Sequence, residues 1–570
     1  MSVLFRSLVN KGRKHLFKKF LNSTQSTCRC VFFRKSSGSE KKFVSFDEIV
    51  TQRRTEAKRS IVVQVNSEAS FKELYGYCSK YAPIKDVHHY KNNNDEHFML
   101  IEFGSEESLH DVLRSCSTHQ KDVDIMALNS PFLWFRAANG KSESYATPTT
   151  VLASINGIEQ VDEDKLFKDL MDCETVSDQI QLLYDRTRLN DLGARLRYMV
   201  ARQTKAGSRL VYQDKRVEGS RAPWARHMQC VAELLELRVA GAARVQRILN
   251  ARVPIVKFAH HYTDLECDLC YNNMSGVYMS ELLWLFGSLD DRVRPLTFAV
   301  RRWARAVGLT NPHPGRWITN FPLTLMVLFF LQQKTSDGHI LPTLKNLVRR
   351  AGKEDIRIAE ENLNCTFLRD MNKLPSECYA QNKANLQSLL LQFFEFYSQF
   401  DFQDKAISIN DGASVRKPNS LPLYIVNPLE QALNVSRNVS FEECERLKAE
   451  VRNAAWQLEA GMDKQKGDDW GLLGLIEKKT TRGLKKLLRV GNSHRLVSVK
   501  DLFNDTDDQI SGNSLKSKVE RLIPKTNQEV EKGVQEMKNS FAKEKKPQKL
   551  KLKNSALASE VFRIRRDKIV

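Results

Sequence analysis

"VPIVKFAHHYTDLECDLCYNN" (253–273) decides how the rest of the chain is read. Two apolar runs, 253–260 and 264–271, flank a short polar interval, which is the pattern of paired strands. Side chains two apart on a strand share a face, so Asp264, Glu266 and Asp268 are expected to line up on one side. A row of carboxylates on a rigid strand is a natural holder of divalent metal. Cys267 and Cys270 form a C-x-x-C, but an offset of three sends them to opposite faces of a strand. That placement argues against a shared tetrahedral zinc ion.

Further strand and helix candidates surround this pair. "ARVQRILN" (243–250) reads as another strand, and "MQCVAELLEL" (228–237) before it as a helix. After it come Asn-Asn, Gly276 and a helix expected from Ser280. Then follow "DRVRPLTFAVRRWAR" (291–305), a Pro/Gly loop and the apolar "LTLMVLFFL" (323–331). If "VRRWAR" is helical, Arg301 and Arg305 point the same way while Val300 and Trp303 face the core. Two guanidiniums on one face suit phosphate oxygens. They equally suit a solvated helix surface.

The bulk numbers narrow the class. A chain of 570 residues is too long for one core and implies several domains. It carries 89 Lys+Arg against 68 Asp+Glu, a formal charge of +21, which favours a polyanionic partner. No run reaches the roughly 18–20 apolar residues of a membrane span, so nucleic acid is the expected partner. Eleven scattered cysteines point to reduced thiols. The first 40 residues hold no acid before Glu40 and repeat Arg and Lys among Leu, Phe and Ser. That is the composition of a mitochondrial transit peptide, and import into the matrix is expected.

Next comes an alternation of strands and helices. "SIVVQV", a helix opened by Ser67, "IKDVHHYK", "EHFMLIEF", a helix capped by Ser105 and "PFLWFR" give β-α-β-β-α-β over residues 44–140. This is the split unit of RNA-recognition domains, which stack bases on aromatics of the central strands. Here the stacking positions fall at Val62 and Leu100, leaving Phe98 and Phe103. The module is therefore expected to serve interaction or dimerisation rather than base readout. Residues 136–165 read as a polar connector and "VSDQIQLLYDRTRLNDLGARLRYMVARQ" as helical. "TKAGSRLVYQDKRVEGSRAPWARH" (204–227) is aperiodic, "GASVRKPNSLPLYIVNPLE" a loop and strand, and "SFEECERLKAEVRNAAWQLEAG" a helix. A basic tail is expected from 461 to 570, with "KEKKPQKLKLKN" near its end.

"CDLCYNN", "SELLWLFGSLDDRVRPLTFAVRRWAR", "WITNFPLTLMVLFFLQ", "ILPTL" and "LYIVNPLEQALNVSRNVS" together resemble the noncanonical poly(A) polymerases of the DNA polymerase β-like nucleotidyltransferase superfamily, closest to their mitochondrial branch. The resemblance runs from about Val44 to Trp456. It implies a multidomain α+β enzyme, with a nucleotidyltransferase palm at 160–275 and a helical PAP-associated domain at 276–460. It also implies transfer of AMP from ATP to an RNA 3′ end with Mg²⁺ or Mn²⁺ held by three carboxylates, and a homodimer built through the N-terminal module. Asp268 takes the place of the third carboxylate. Asn273 and Gly276 fall where the family contacts sugar and base, Ser280 where a hydroxyl reaches phosphate, and Arg301 and Arg305 where lysines bind the triphosphate. Asn320 and Phe321 replace a Ser-Tyr pair, so Phe321 keeps the stacking ring without the hydroxyl. Base choice rests near Phe321 and Asn427, which leaves a terminal uridylyltransferase as a lesser alternative.

The family's Gly-Ser turn and Asp-x-Asp strand are not found before Asp268. "FGSLDD" (286–291) lies after it, and the chain passes from "ARLRYMVARQ" straight to "TKAGSRLVYQ". One carboxylate cannot clamp two ions roughly 3.5–4 Å apart. The chain is therefore expected to be an impaired adenylyltransferase or a non-catalytic RNA-associated partner.

Overall fold

The computed structural model describes residues 43–115, 131–135, 163–208, 221–462 (apart from 252, 314, 335–337, 376–377 and 380–381) and 470–476. The expected transit peptide, the connector at 136–162 and most of the basic tail lie outside them.

The chain opens with α1 (Phe46–Lys58), started by a capping box in which Ser45 and Glu48 each accept the other's backbone N–H. The N-terminal module follows: β1 (Ser60–Val65), α2 (Phe71–Ser79), β2 (Ile84–Lys91), β3 (His97–Phe103), α3 (Glu106–Ser115) and β4 (Phe132–Trp134). Ser105 Oγ accepts the Ser108 N–H and caps α3 as expected. Ser67 instead precedes a single 3₁₀ turn, and makes no side-chain cap, so α2 begins only at Phe71. The sheet order is β2-β3-β1-β4, with β3 antiparallel to both neighbours. β4 runs parallel to β1, pairing Val62 with Phe132 and Gln64 with Trp134. A direct right-handed crossover from β3 would leave β4 antiparallel to β1. The connecting residues 116–130 lie outside the described part.

Both faces of this sheet are buried. Ile61, Val63, Met99, Ile101 and Phe103 pack under α2 and α3 with Leu74, Leu109 and Val112. Val62, Phe98 and Leu100, on the face that reads bases in RNA-recognition domains, are each 1% exposed. They are covered by Leu192, Leu196, Met199 and Val200 of the same chain.

The covering residues belong to α6 (Asp191–Ser208), reached after α4 (Glu163–Met171) and α5 (Val176–Thr187). α6 continues without a break through Gln203–Thr204. α7 (Arg221–Arg238) then leads into β5 (Ala242–Ile248), β6 (Ile255–His260) and β7 (Leu265–Cys270), an antiparallel sheet in that order. These strands fall within two residues of the expected ones. Val256, Phe258, Cys267 and Leu269 join the core beneath the first sheet.

α4 and α5 pack away from this sheet: Leu166, Leu170, Val176, Ile180 and Leu183 join the helical core. That core is built from α8 (Met274–Leu289), α9 (Val293–Ala306), α10 (Asn320–Leu331), α11 (Leu344–Arg349), α12 (Leu386–Ser398), a hairpin of β8 (Lys405–Ser408) and β9 (Ala413–Arg416), and α13 (Phe441–Met462). From Leu325 to Leu331 α10 is apolar and buried all round, as its sequence predicts. α14 (Leu472–Ile476) also docks here, with Trp470, Leu472, Leu473, Leu475 and Ile476 buried. The helical body thus reaches beyond the expected boundary at 460. Among the described residues no helix is long and apolar enough to cross a membrane.

Candidate functional site

β7 places Asp268 half-buried on the sheet face away from the core, while Cys267 on the other face is buried. Lys257 of β6 is the register partner of Asp268, and its Nζ lies 3.0 Å from Glu266 Oε2 on the same face. The hydrogen bond from Lys257 and its charge hold the Glu266 carboxyl below its ordinary value. Asp268 forms no ion pair with a described residue.

Asp264 does not share that row. The His261–Asp264 turn puts Asp264 at φ 50, in the left-handed region, and β7 begins one residue later. Its Oδ2 accepts the Asn93 N–H at 2.7 Å. Around it, Tyr90 Oη donates to the Tyr262 carbonyl at 2.8 Å and Asn92 Nδ2 to that of His261 at 3.2 Å. The β2–β3 end of the N-terminal module therefore holds the turn that launches β7.

The two cysteines are kept as thiols. Burial first, then the nearby Asp268 charge, pushes Cys267 up to about 11. Burial likewise raises Cys270, whose thiol feels Asn273, Asp268 and Glu360. Cys270 thus marks where the end of β7 and the start of α8 converge.

That start is a correction to the sequence reading. α8 begins at Met274, not Ser280, because Asn273 caps it: Asn273 Oδ1 accepts the Gly276 N–H at 3.2 Å. Ser280 sits a turn and a half inside, and its Oγ donates to the Gly276 carbonyl at 3.0 Å. Its hydroxyl is thereby drawn to its own helix backbone rather than to the helix entrance. A Cβ at 276 would stand 3.0 Å from Asn273 Nδ2, so glycine keeps the capping amide uncrowded. Asn273 and Ser280 both bond to Gly276, through its N–H and its carbonyl respectively.

Sequence reading missed Glu360, 86 residues beyond Met274. Its carboxylate accepts the Met274 N–H at 2.8 Å and the Ser275 N–H at 3.2 Å, and it meets the Ser275 hydroxyl in a short hydrogen bond. A carboxylate there neutralises the positive end of α8. Nothing in "AEENLN" signals the contact; only tertiary structure creates it.

Arg301 and Arg305 stand one turn apart on α9, with Val300 and Trp303 buried as expected. Burial alone lowers Arg301 from its usual value, since no described carboxylate offsets the lost hydration. Arg305 is exposed. Neither forms an ion pair with Asp268. Arg302 between them is bidentate to Glu163 of α4, with one N–O distance of 3.0 Å. Asn320 opens α10 and is exposed, and Phe321 is half-buried against the helical core. Asn427 Oδ1 accepts the N–H groups of Leu429 and Glu430 at 3.0 and 3.1 Å, shaping the turn before Asn434.

Residues 76–288 match the family model described as poly(A) RNA polymerase, mitochondrial-like, central palm domain, and 385–429 match that of the Cid1 family poly A polymerase. The mitochondrial poly(A) RNA polymerase of Drosophila melanogaster is 41% identical over 524 residues, covering 81% of this chain and 84% of that one. The Homo sapiens counterpart is 30% identical over 530 residues, covering 84% and 89%. The crystal structure of mtPAP in complex with ATPγS superposes with a TM-score of 0.67 at 29% identity, over 76% of this chain and 99% of that one. The UTP complex gives 0.69 at 30% with the same coverage.

Proposed function

Because the chain belongs to the mitochondrial poly(A) RNA polymerase family of nucleotidyltransferases, we propose that it binds ATP and the 3′ ends of mitochondrial RNAs in the matrix, and that the chain as written transfers AMP poorly. The observation that carries this reading is the donor set around Asp268. A two-ion site needs several acidic ligands converging on ions roughly 3.5–4 Å apart. Among the described residues no group of three or more His, Cys, Asp or Glu stands close enough to hold a metal ion. The cross-strand partner of Asp268 is Lys257, whose ammonium is taken by Glu266, the one acid beside it on this strand face. From Gln203 to Thr263 the sequence holds a single aspartate, Asp214, and so no Asp-x-Asp. These donors do not fit the family's pair of Mg²⁺ or Mn²⁺ ions.

The remaining parts suit nucleotide capture. Arg301, deprived of water and of a carboxylate partner, supplies charge for a phosphate, with Arg305 one turn along. Phe321 offers a ring to the base, worth roughly 1–3 kcal/mol where stacking is complete. Asn273 faces the sugar from the start of α8. The same missing acids support a second reading, a non-catalytic partner that dimerises with an intact copy.

Primer extension tests both. The full chain, given an RNA oligonucleotide, Mg²⁺ or Mn²⁺ and ATP or UTP in parallel, is expected to bind ATP yet extend the RNA at least about a thousand-fold more slowly than an intact relative, the scale of losing an essential catalytic group. Extension at a relative's rate would overturn the impairment. Faster extension with UTP would make it a uridylyltransferase.

A further inference from the structure

We propose that Glu360, acting through Ser275, is a positioning residue that sets which end of the Asn273 amide faces the nucleotide. The proposal deepens the nucleotide-site reading above and rests on it.

The Asn273 side chain has two chemically opposite ends. Oδ1 is turned into the helix, where it meets the Gly276 N–H at 3.2 Å and the Ser275 Oγ at 3.1 Å. The Gly276 N–H can only donate, so it selects the oxygen for this position. Nδ2 is turned the other way, toward the end of β7, with Cys270 Sγ at 3.8 Å as its one described partner. A thiol sulfur is a weak acceptor, so this amide end is a donor held ready for a better one. A sugar hydroxyl is such an acceptor.

Ser275 decides how firmly that orientation is kept. Its single hydroxyl proton lies between two acceptors, Glu360 Oε1 and Asn273 Oδ1. Glu360 fixes the serine rotamer that brings Oγ to Asn273, and fixes the serine backbone through the Met274 and Ser275 N–H groups. Without Glu360, Ser275 is free to turn away and the amide is held by the Gly276 contact alone.

Glu360 is itself placed by construction. Glu361 and Asn362 both adopt left-handed backbone, φ 55 and 60, a conformation that costs a glutamate about 1–2 kcal/mol. The flanking segment is anchored by Arg369. Its guanidinium donates to the carbonyls of Cys365 and Phe367 at 3.2 and 3.1 Å and to Glu281 Oε1 of α8 at 2.9 Å, and lies 4.2 Å from the Phe367 ring centroid. A segment tied to α8 at both Glu281 and the helix entrance delivers one carboxylate to Ser275.

The test is nucleotide binding by the full chain, measured by calorimetry with ATP, 2′-deoxy-ATP and 3′-deoxy-ATP. Wild type is expected to bind ATP about five-fold more tightly than at least one deoxynucleotide, within the roughly two- to twelve-fold range of one net hydrogen bond. Glu360→Gln and Ser275→Ala are expected to bring ATP down to the affinity of that deoxynucleotide and leave the deoxynucleotide unchanged. Ser275→Thr, which keeps the hydroxyl, should retain the discrimination. Equal weakening of all three nucleotides, or undiminished discrimination in both variants, would overturn the relay while leaving the nucleotide site standing. Wild type that binds no ATP would remove the nucleotide-site reading, and the relay with it.

Discussion

The sheet of the N-terminal module and the palm sheet meet water in opposite ways. The four strands of the N-terminal module are buried on both faces, with α2 and α3 on one side and α6 on the other. The three strands of the palm sheet are covered on one face, while the other shows Lys257, Glu266 and Asp268. An RNA-recognition-like sheet has thus become a wall, and the polar chemistry lies on the smaller sheet beside it. The lesson concerns architecture more than sequence similarity. A sheet reads bases only if its face is free, and here Val62, Phe98 and Leu100 are already satisfied within the chain.

Charge fastens the wall. Glu102, fully buried on β3, accepts Arg195 of α6 at 2.6 Å, Arg59 Nε at 2.7 Å and Lys85 at 3.0 Å. Arg195 reaches Asp191 at 2.6 Å, and Asp191 also meets Arg53 of α1. Replacing Glu102 by Ala removes the buried acceptor shared by Arg195, Arg59 and Lys85, leaves Arg195 with Asp191, and is expected to have the largest effect, about 3 kcal/mol of local stability. Hydrogen exchange at β1 and β3 should accelerate correspondingly. Unchanged exchange would show that apolar packing alone fixes the module to α6.

Arg301→Ala sharpens the contrast from the other side, because its guanidinium stands apart from the wall. ATP affinity is expected to fall roughly ten- to hundred-fold, the scale of a charge-assisted hydrogen bond. Exchange in the module should not change. An Arg301 variant with full affinity would mean that the half-buried guanidinium serves only α9.

Acid should loosen the wall. Burial alone would raise the Glu102 carboxyl, but the hydrogen bonds and charges of Arg195 and Lys85 outweigh it and hold it below its ordinary value. Asp191, desolvated but paired with Arg195 and Arg53, is lowered in the same way. Groups with depressed folded-state values contribute stability that is present above the unfolded value and lost as pH falls through the folded one. Exchange protection of β3 should therefore decline below about pH 4, the ordinary carboxylate value. A pH-independent profile there would contradict the network. The smallest effect belongs to Glu266→Gln, whose exposed pair with Lys257 is worth at most about 1 kcal/mol. A larger loss would place Glu266 among the functional acids beside Asp268.

Much of this was legible in the residues. Period-two runs located β1–β3 and β5–β7 because short apolar strands between turn residues leave few alternatives. The unbroken apolar stretch at 323–331 announced a wrapped helix, and the spacing of Arg301 and Arg305 around Trp303 announced a two-faced one. Boundaries set by side-chain chemistry were harder. Asn273 started α8 six residues before Ser280, since an Asx cap depends on one rotamer and one backbone N–H. Asp264 left the acidic row because a left-handed turn ends before β7 begins.

What the sequence by itself determined is the list of parts: strand and helix periods, a basic charge balance, the acids of β7, and the two arginines of α9. Those follow from local periodicity and composition, which need no distant neighbour. Only the tertiary structure decided that the RNA-recognition-like sheet is closed by α6, that α4, α5 and α14 belong to the helical core, and that Glu360 meets Ser275. Each of these joins residues tens to hundreds apart in sequence. Burial and hydrogen-bond geometry select such pairs, and no local pattern encodes them.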